Sequence, residues 1–165
     1  MIETIIRDVE ARDYDMILEL NEELVHFLSP MDISQLEEFR RVAQLFKVVE
    51  LDGEAIAFMI VLKEGLDYES ENYCYFAKNY DSFLYVDRVV VSPKHHAHGC
   101  GKLMYDTLFE YARATNEKNV LAEINIEPVN VPSLKFHERY GFKEVHTQWL
   151  CGGKKRVSLQ ASLAF

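Results

Sequence analysis

The sequence is poor in cysteine and contains no long apolar run. Its three cysteines, Cys74, Cys100 and Cys151, are odd in number and lack the paired spacing of a metal site. We therefore expect reduced thiols, as in a cytoplasmic protein, and no bound metal. No apolar run approaches the roughly 20 residues that a membrane helix needs, and the N-terminus lacks the basic start and long apolar centre of a signal peptide.

Positive charge is also scarce. The chain carries 18 lysines and arginines against 27 aspartates and glutamates, which leaves a formal net charge of −9 at pH 7. Since an acidic protein is a poor non-specific ligand for phosphate backbones, we expect no nucleic-acid partner. With 48% hydrophobic residues, no internal repeat and no linker, the chain is expected to form a single domain over residues 1–165.

Apart from residues 63–81, periodic patterns predict a strand, two helices, a strand hairpin, a strand, a helix, a strand, a helix and a second strand hairpin along the chain. The predicted strands are Ile2–Arg7, Phe46–Leu51, Glu54–Leu62, Tyr85–Val91, Val120–Ile126, Lys143–Trp149 and Arg156–Leu163. The predicted helices are one that begins near Asp8, Ser34–Leu45, Lys102–Asn116 and Pro132–Tyr140. Asp52-Gly53 predicts a tight hairpin turn, and Ser34-Gln-Leu-Glu predicts a capping box at a helix start.

The most informative stretch opens as a buried strand, Tyr85–Val91, which Ser92-Pro93 ends because proline cannot donate to a strand ladder. Gly99 and Gly101 then come directly before a predicted helix. Glycines let a backbone approach an anion closely, and the first amides of a helix point outward without partners. The stretch therefore predicts a phosphate-binding loop, and a simple tight turn is the alternative.

Local positive charge favours the phosphate-binding loop over the turn. The loop contains Lys94, His95, His96, His98 and Lys102, in a chain that is acidic overall. Two other phosphate motifs do not fit. The dinucleotide motif would need a third glycine where Met104 stands, and no Gly-Lys-Ser/Thr follows as in a P-loop.

Two stretches together resemble a known family, the GNAT acetyltransferases. Val89-Val-Val-Ser-Pro, followed by His96-Ala-His-Gly-Cys-Gly, resembles the acyl-CoA-binding motif of that family, although His96 stands where arginine or glutamine is usual. Asn130-Val-Pro-Ser-Leu-Lys-Phe-His-Glu-Arg-Tyr-Gly-Phe resembles its late motif. His137 occupies the usual tyrosine position, as in the branch that resembles phosphinothricin-type acetyltransferases.

The resemblance implies a fold and a reaction. The fold would be α+β with α/β/α layers: a mixed, mostly antiparallel sheet with helices on both faces. The strands 83–91 and 120–126 would splay apart to admit the pantetheine arm. The reaction would be direct transfer of an acetyl group from acetyl-CoA to a primary amine of a small molecule or peptide, in a ternary complex. A non-catalytic CoA-binding regulatory module and a structural interaction domain remain alternatives, and a homodimer is possible.

The resemblance also assigns cofactor contacts residue by residue. They are Val89, Val90, Val91, His96, Ala97, His98, Gly99, Cys100, Gly101, Lys102, Asn125, Asn130, Ser133 and Phe136. In the family, amides freed by a bulge in the central strand polarise the thioester carbonyl, and this role falls on Val89 and Val91. Asn130 has an alternative role as the cap of the following helix, and Cys100 is interpreted as a small loop residue.

Four side chains are candidates for the chemistry. Asp87 and Glu123, on neighbouring predicted strands, are candidate bases for the amine, directly or through water. An ion pair with Arg88 or with a helix residue is the alternative for Asp87, and Glu123 has a similar alternative. His137 is the expected proton donor to the leaving thiolate, in part because a pKa near 6.5 makes the charged ring available at neutral pH. Tyr140 is its rival, and simple packing is the alternative for His137.

Residues 63–81 have no clear period, and their tyrosines lie among acidic residues. A long loop in a compact domain is either functional or poorly ordered. In GNAT folds this connection often flanks the acceptor site, so one interpretation is a substrate lid in which Tyr73 and Tyr75 contact the acceptor. The other interpretation is that the aromatic residues cover a sheet edge or a dimer interface.

Overall fold

The computed structural model describes residues 3–165, apart from the side chain of Ala97, and these residues form seven strands and five α-helices. The strands are β1 (Thr4–Asp8), β2 (Leu45–Leu51), β3 (Glu54–Lys63), β4 (Leu84–Val91), β5 (Asn119–Glu127), β6 (Lys143–Leu150) and β7 (Lys155–Leu163). The helices are α1 (Tyr14–Glu23), α2 (Ile33–Val42), α3 (Glu71–Asn79), α4 (Cys100–Ala114) and α5 (Val131–Arg139). Ile2, the first residue of the predicted first strand, lies outside the described residues.

The strands follow one another in the sheet in the order β1-β2-β3-β4-β5-β7-β6. The pairs β1–β2, β2–β3, β5–β7 and β6–β7 are antiparallel. β4 and β5 are parallel, with Leu84 opposite Val120 and Val86 opposite Ala122. The predicted mixed, mostly antiparallel sheet is therefore confirmed.

The chain divides into two compact units, and the first comprises residues 1–62 and 88–108. Its hairpin turns at Asp52 and Gly53, whose φ angles of 49° and 85° are those of the predicted two-residue turn. The second predicted helix begins slightly earlier than expected. Asp32 caps it and forms the capping box with Gln35, so the box predicted at Ser34 is wrong by two residues. A carboxylate at position 32 satisfies the same amides as a serine would.

The second unit comprises residues 63–87 and 109–165. The stretch 63–81 that lacked a sequence period contains a helix, α3, capped by the Ser70 side chain, which accepts a hydrogen bond from the Tyr73 amide at 3.4 Å. The loop prediction was wrong here because the period is hidden. Tyr73 and Phe76 are buried, but Tyr75 is an aromatic residue on the outer face, and aromatic residues are only moderate helix formers.

Candidate active site

The glycine loop of the first unit leads directly into α4. The Ser92 amide donates to the Ile56 carbonyl at 2.8 Å, which ties the end of β4 to β3. A short 3-10 helix over Pro93–His98 follows, and Gly99 then adopts a left-handed φ of 69°. The first α-helical bond runs from the Leu103 amide to the Gly99 carbonyl at 3.0 Å. The backbone amides of the first turn of α4 therefore come before the first α-helical bond. Helices bind anions at this end.

The side chains of the loop differ in their exposure and in their charge partners, and therefore in whether they can contact an anion. His96 and His98 are exposed. Lys102 is 75% exposed and forms an ion pair with Asp106 at 2.6 Å, so a carboxylate of the same helix partly neutralises its charge. Cys100 is buried, and burial raises the pKa of its thiol. A buried, protonated Cys100 packs as a small apolar residue. It is the first residue of α4, so its interpretation as a loop residue was wrong. The side chain of Ala97 lies outside the described residues.

The last residues of β4 alternate in burial. Val90 is buried, whereas Val89 and Val91 are partly exposed. Arg88 is buried too, and its guanidinium donates to the Asn21 Oδ1 at 2.7 Å and the Ser29 carbonyl at 3.1 Å. Val89 and Val91 therefore lie on the opposite face of β4 from the Arg88 side chain.

The two candidate bases each accept a short hydrogen bond from a tyrosine. Asp87 and Glu123 follow directly after the paired residues of β4 and β5, and both are partly exposed. The Tyr68 phenol donates to the Asp87 Oδ1 at 2.6 Å, and the Tyr85 phenol donates to the Glu123 Oε2 at 2.6 Å. Burial, and then the charge of Glu123, hold the pKa of Tyr85 well above 10. Tyr85 therefore keeps its proton and remains a donor.

Sequence analysis did not identify these two tyrosines as part of the site. The sequence did contain a signal for Tyr85. It lies two residues before Asp87, and side chains at this spacing lie on the same face of a strand. No local pattern points to Tyr68, which lies 19 residues before the carboxylate that it contacts. Only the folded chain brings them together.

The late motif forms α5 and the turn before it. The Asn130 side chain accepts a hydrogen bond from the Ser133 amide at 3.2 Å, so the alternative role of Asn130 as a helix cap is confirmed. The Asn130 amide in turn donates to the Asn125 carbonyl at 3.0 Å. Asn125 is buried, while Ser133 and Phe136 are partly exposed. The start of α5 thus links three of the predicted cofactor residues, Asn125, Asn130 and Ser133.

His137 is a buried residue on α5, with 4% of its surface exposed. Its Nδ1 lies 2.8 Å from the Ser133 carbonyl, which can only accept, so Nδ1 carries the proton. Burial lowers the pKa of His137 from its usual 6.5, and the hydrogen bond to Ser133 opposes this only in part. The charged ring that the sequence suggested near neutral pH is therefore disfavoured, because an imidazolium loses its hydration when buried.

Tyr140 lies at the end of the same helix and is partly exposed. Its ring stacks on Phe109, with centroids 5.4 Å apart, and contacts Phe136 at 5.2 Å. Its carbonyl accepts a hydrogen bond from the Ser162 hydroxyl at 2.6 Å. Packing therefore fixes the Tyr140 ring, and the hydrogen bond from Ser162 in β7 fixes the Tyr140 backbone. Gly141 then ends α5 with a φ of 79°, as predicted.

The two predicted substrate tyrosines lie on different faces of α3. Tyr73 is 1% exposed, and its hydroxyl donates to the Lys63 carbonyl at 2.6 Å. Its ring contacts Tyr85 with centroids 5.9 Å apart. Tyr75 is partly exposed and stacks on His146 at 4.3 Å. Tyr73 is therefore a core residue that supports Tyr85, whereas Tyr75 remains accessible to a ligand.

Tyr75 lines an open cleft of about 290 Å³ between α3 and β6, here called the α3–β6 cleft. Its lining residues are Glu71, Cys74, Tyr75, Lys78, Gln148 and Trp149. The four from α3 are spaced i, i+3, i+4 and i+7, which places them on one face of the helix. The neighbouring Asn72 anchors this face, because its Oδ1 accepts a hydrogen bond from the Gln148 amide group at 2.7 Å.

Within residues 3–165 no helix is long and apolar enough to cross a membrane. In the same range, no three histidine, cysteine, aspartate or glutamate side chains are grouped so that they could hold a metal ion.

Comparison with known proteins identifies one family. The model of the acetyltransferase (GNAT) family matches residues 14–142, and no curated protein matches the chain. Ard1 from Thermoplasma volcanium superposes with a TM-score of 0.79 at 14% identity, over 97% of both chains. Arabidopsis thaliana NAA60 in complex with acetyl-CoA gives 0.74 at 16% identity, over 98% of this chain and 99% of that chain.

A third solved structure contains a mimic of both substrates. Arabidopsis thaliana Naa50 in complex with the bisubstrate analogue CoA-Ac-MVNAL superposes with a TM-score of 0.73 at 11% identity, over 96% of this chain and 97% of that chain. At such identities the three structures establish the fold of the described chain.

Proposed function

The chain belongs to the GNAT family of acetyltransferases, and from this premise we propose that it transfers an acetyl group from acetyl-CoA to a primary amine, directly and in a ternary complex. The observation that carries the proposal is the match of the family model over residues 14–142, which includes both motifs. The acetyl-CoA of the NAA60 complex and the bisubstrate analogue of the Naa50 complex support the choice of co-substrate.

The N-terminus of α4 would hold the pyrophosphate of acetyl-CoA. The amides of Cys100, Gly101 and Lys102 precede the first α-helical bond, and a helix start attracts negative charge. A Cβ built on Gly99 would have no heavy atom within 4 Å, so the loop leaves space in front of its backbone. The exposed His96 and His98 would add hydrogen-bond donors. The residues present thus fit a diphosphate.

Asp87 and Glu123 would remove the proton from the amine, directly or through water. An alkylammonium ion must lose its proton before its nitrogen can attack the acetyl carbon, and a nearby carboxylate or a water that it orients can take that proton. Each carboxylate has one oxygen bonded to a tyrosine, which fixes its orientation. Attack forms the C–N bond and breaks the C–S bond, and much of the acceleration comes from holding the two substrates together.

Tyr140 would give its proton to the leaving thiolate. His137 carries its proton on Nδ1 and donates it to the Ser133 carbonyl, so that proton is already engaged. A phenol is a donor at any pH below about 10. His137 would then act through its packing beneath the surface of α5, or its Nε2 would accept a hydrogen bond. The backbone of Val89 and Val91 would bond the pantetheine arm and polarise the thioester carbonyl, as the family resemblance implies.

Release of free CoA thiol in the presence of acetyl-CoA and a panel of amines tests the proposal. Amine-dependent release with stoichiometric N-acetylated product supports an acetyltransferase. Binding of CoA without turnover of any amine, amino acid or peptide would favour the regulatory module instead. No CoA binding at all would leave only the structural interaction domain.

We further propose that the enzyme works in the cytoplasm. Three free cysteines support this, since Cys74 and Cys151 are exposed and would be open to oxidation elsewhere. A homodimer, which the sequence left open, would be detected by sedimentation equilibrium.

A further inference from the structure

The hydrogen bond between Tyr85 and Glu123 joins a buried phenol to a partly exposed carboxylate. Tyr85 is 1% exposed, and the rings of Tyr73 and Phe76 pack against it with centroids 5.9 Å and 5.6 Å away. Its hydroxyl donates to the Glu123 Oε2 at 2.6 Å. Because a closely packed ring cannot turn without disturbing its neighbours, this phenol holds one oxygen of Glu123 in a fixed direction.

The backbone of Glu123 is held on both sides of its strand. Glu123 lies in β5 opposite Leu159 of β7, within a continuous run of paired residues from 119 to 125. On the other side, β5 pairs with β4 up to Ala122, the residue directly before it. A carboxylate with a fixed backbone and one fixed oxygen needs little reorganisation before it takes a proton.

The neighbouring carboxylate, Asp87, gives this hydrogen bond a second role. Burial, and then the charges of Glu123 and Asp87, raise the pKa of Tyr85, so both carboxylates act on the same phenol. Neighbouring carboxylates repel each other, and one of them tends to keep a proton unless a donor stabilises its charge. The bond from Tyr85 stabilises the charged form of Glu123, which is the form that can accept a proton.

The tyrosine that donates to Asp87 is of a different kind. Tyr68 is partly exposed and lies in the connection before α3, where its ring contacts Tyr73 with centroids 5.4 Å apart. Water competes with its hydrogen bond to Asp87, and a bond in contact with water is weaker than a buried one. Asp87 is therefore held less firmly than Glu123.

We propose that Glu123 is the base that takes the proton of the amine, directly or through one water, and that Tyr85 is its positioning residue. The nitrogen lone pair that this frees attacks the acetyl carbon, and the C–S bond breaks to release the thiolate. Asp87, with Tyr68, supplies the negative charge that attracts the ammonium form of the acceptor. This inference rests on the proposed acetyltransferase function and adds which carboxylate performs which step.

The test is a double-mutant cycle of Tyr85→Phe and Glu123→Gln, measured by thiol release with saturating acetyl-CoA. The probes are n-butylamine, L-methionine and trialanine, which represent an alkylamine, an amino acid and a peptide. Glu123→Gln should lower kcat about 100-fold or more, the usual contribution of a general base. Tyr85→Phe should lower kcat about tenfold, with the acceptor KM and the CoA affinity near the parent values.

The double variant distinguishes positioning from a general structural effect. It should be no slower than Glu123→Gln alone, because Tyr85 has no base to position once the carboxylate is gone. A structural defect would slow both backgrounds by the same factor. Urea unfolding of the same four proteins measures the coupling without any turnover, and the two losses of stability should not be additive.

Tyr68→Phe and Asp87→Asn form the matched cycle, because this pair is also a phenol and a carboxylate 2.6 Å apart. Both substitutions should act mainly on the acceptor KM, which should rise several-fold because the ammonium group is attracted less strongly. Their effect on kcat should be smaller than that of the corresponding substitutions in the first cycle.

The outcomes separate the inference from the proposed function. Equal slowing by Tyr85→Phe in both backgrounds, or a greater loss of kcat in Asp87→Asn than in Glu123→Gln, overturns the inference and leaves the acetyltransferase function in place. Additive losses of stability in the first cycle also overturn it. A parent that releases thiol with none of the three probes overturns the proposed function itself, whatever the unfolding cycle shows.

Discussion

His137 illustrates how burial changes the chemistry of a single residue. The sequence places it where the family usually has tyrosine, and an exposed histidine there would supply a charged donor. In the fold its ring is enclosed, and burial lowers its pKa. Its Nδ1 proton is used by the Ser133 carbonyl one turn earlier. The residue is therefore neutral at pH 7, and the neighbouring phenol of Tyr140 is the better donor for a leaving thiolate.

Tyr140→Phe should lower kcat about tenfold or more with little change in CoA affinity. The substitution keeps the ring against Phe109 and Phe136 and removes only the hydroxyl. Stopped-flow or steady-state thiol release measures kcat, and calorimetry measures CoA binding. His137→Phe is the comparison variant. Parent-like turnover in Tyr140→Phe together with a crippled His137→Phe would reassign the donor to the histidine.

The neutral state of His137 also predicts a pH-dependent stability. An unfolded histidine titrates near 6.5, and the folded one titrates lower. Between these two values the unfolded chain binds more protons, so the stabilisation from this group is complete above about pH 6.5 and is lost as the pH falls through the folded pKa. Urea unfolding at pH 7.5 and 5.5 should therefore show a larger loss in the parent than in His137→Phe. Equal losses in the two proteins would contradict the assignment.

At the scale of the element, α3 has one face for the core and one for solvent. The inner face presents Tyr73 and Phe76 to Tyr85, with ring centroids 5.9 Å and 5.6 Å from it. Tyr85 in turn donates to Glu123. The outer face lines the α3–β6 cleft through Glu71, Cys74, Tyr75 and Lys78. One helix therefore supports a candidate base on one side and offers a binding surface on the other.

The two faces predict different consequences for two tyrosine substitutions. Tyr73→Ala empties a buried aromatic site and should reduce the free energy of unfolding by about 3–5 kcal/mol. Tyr75→Ala changes a partly exposed residue and should cost under about 1 kcal/mol, while raising the KM for the acceptor amine. Urea unfolding and acceptor kinetics measure the two effects. Similar stability losses in both variants would show that the faces are not separated in this way.

The start of α4 carries the second prediction at this scale. Gly101→Glu places a side chain and a negative charge among the first-turn amides, so it should abolish CoA binding without unfolding the protein. Gly101→Ala is the matched control. It adds only a methyl group at a helical position, where alanine is favoured over glycine by about 1 kcal/mol, and should retain most of the affinity. Unchanged CoA affinity in Gly101→Glu, measured by calorimetry, would remove this loop from the binding site.

At the scale of the whole molecule, three elements of secondary structure contain residues of both compact units. β3, β4 and α4 each contribute residues to both units. Each unit is also built from two segments that are distant in sequence. Neither can therefore be cut out as a continuous stretch of chain. The expectation of a single domain over residues 1–165 stays a prediction, for which one cooperative unfolding transition is the expected signature.

The elements with strong local signals were predictable. The β2–β3 hairpin follows from Asp52-Gly53, and α5 follows from its cap at Asn130 and its end at Gly141. The glycine loop and α4 were found for the same reason, because glycines and helix periods act over a few residues. α3 was missed, since its buried stripe is masked by an aromatic residue, Tyr75, on the opposite face.

The sequence by itself determined the family, the mixed sheet and the order of motifs along the chain. These follow from local patterns and from spacings that any fold of the family must satisfy. The charge state of His137, the tyrosine partners of Asp87 and Glu123 and the separation of Tyr73 from Tyr75 were decided only by tertiary structure. Burial and contacts between residues 19 or 38 positions apart set proton affinities and exposure, and no local pattern contains them.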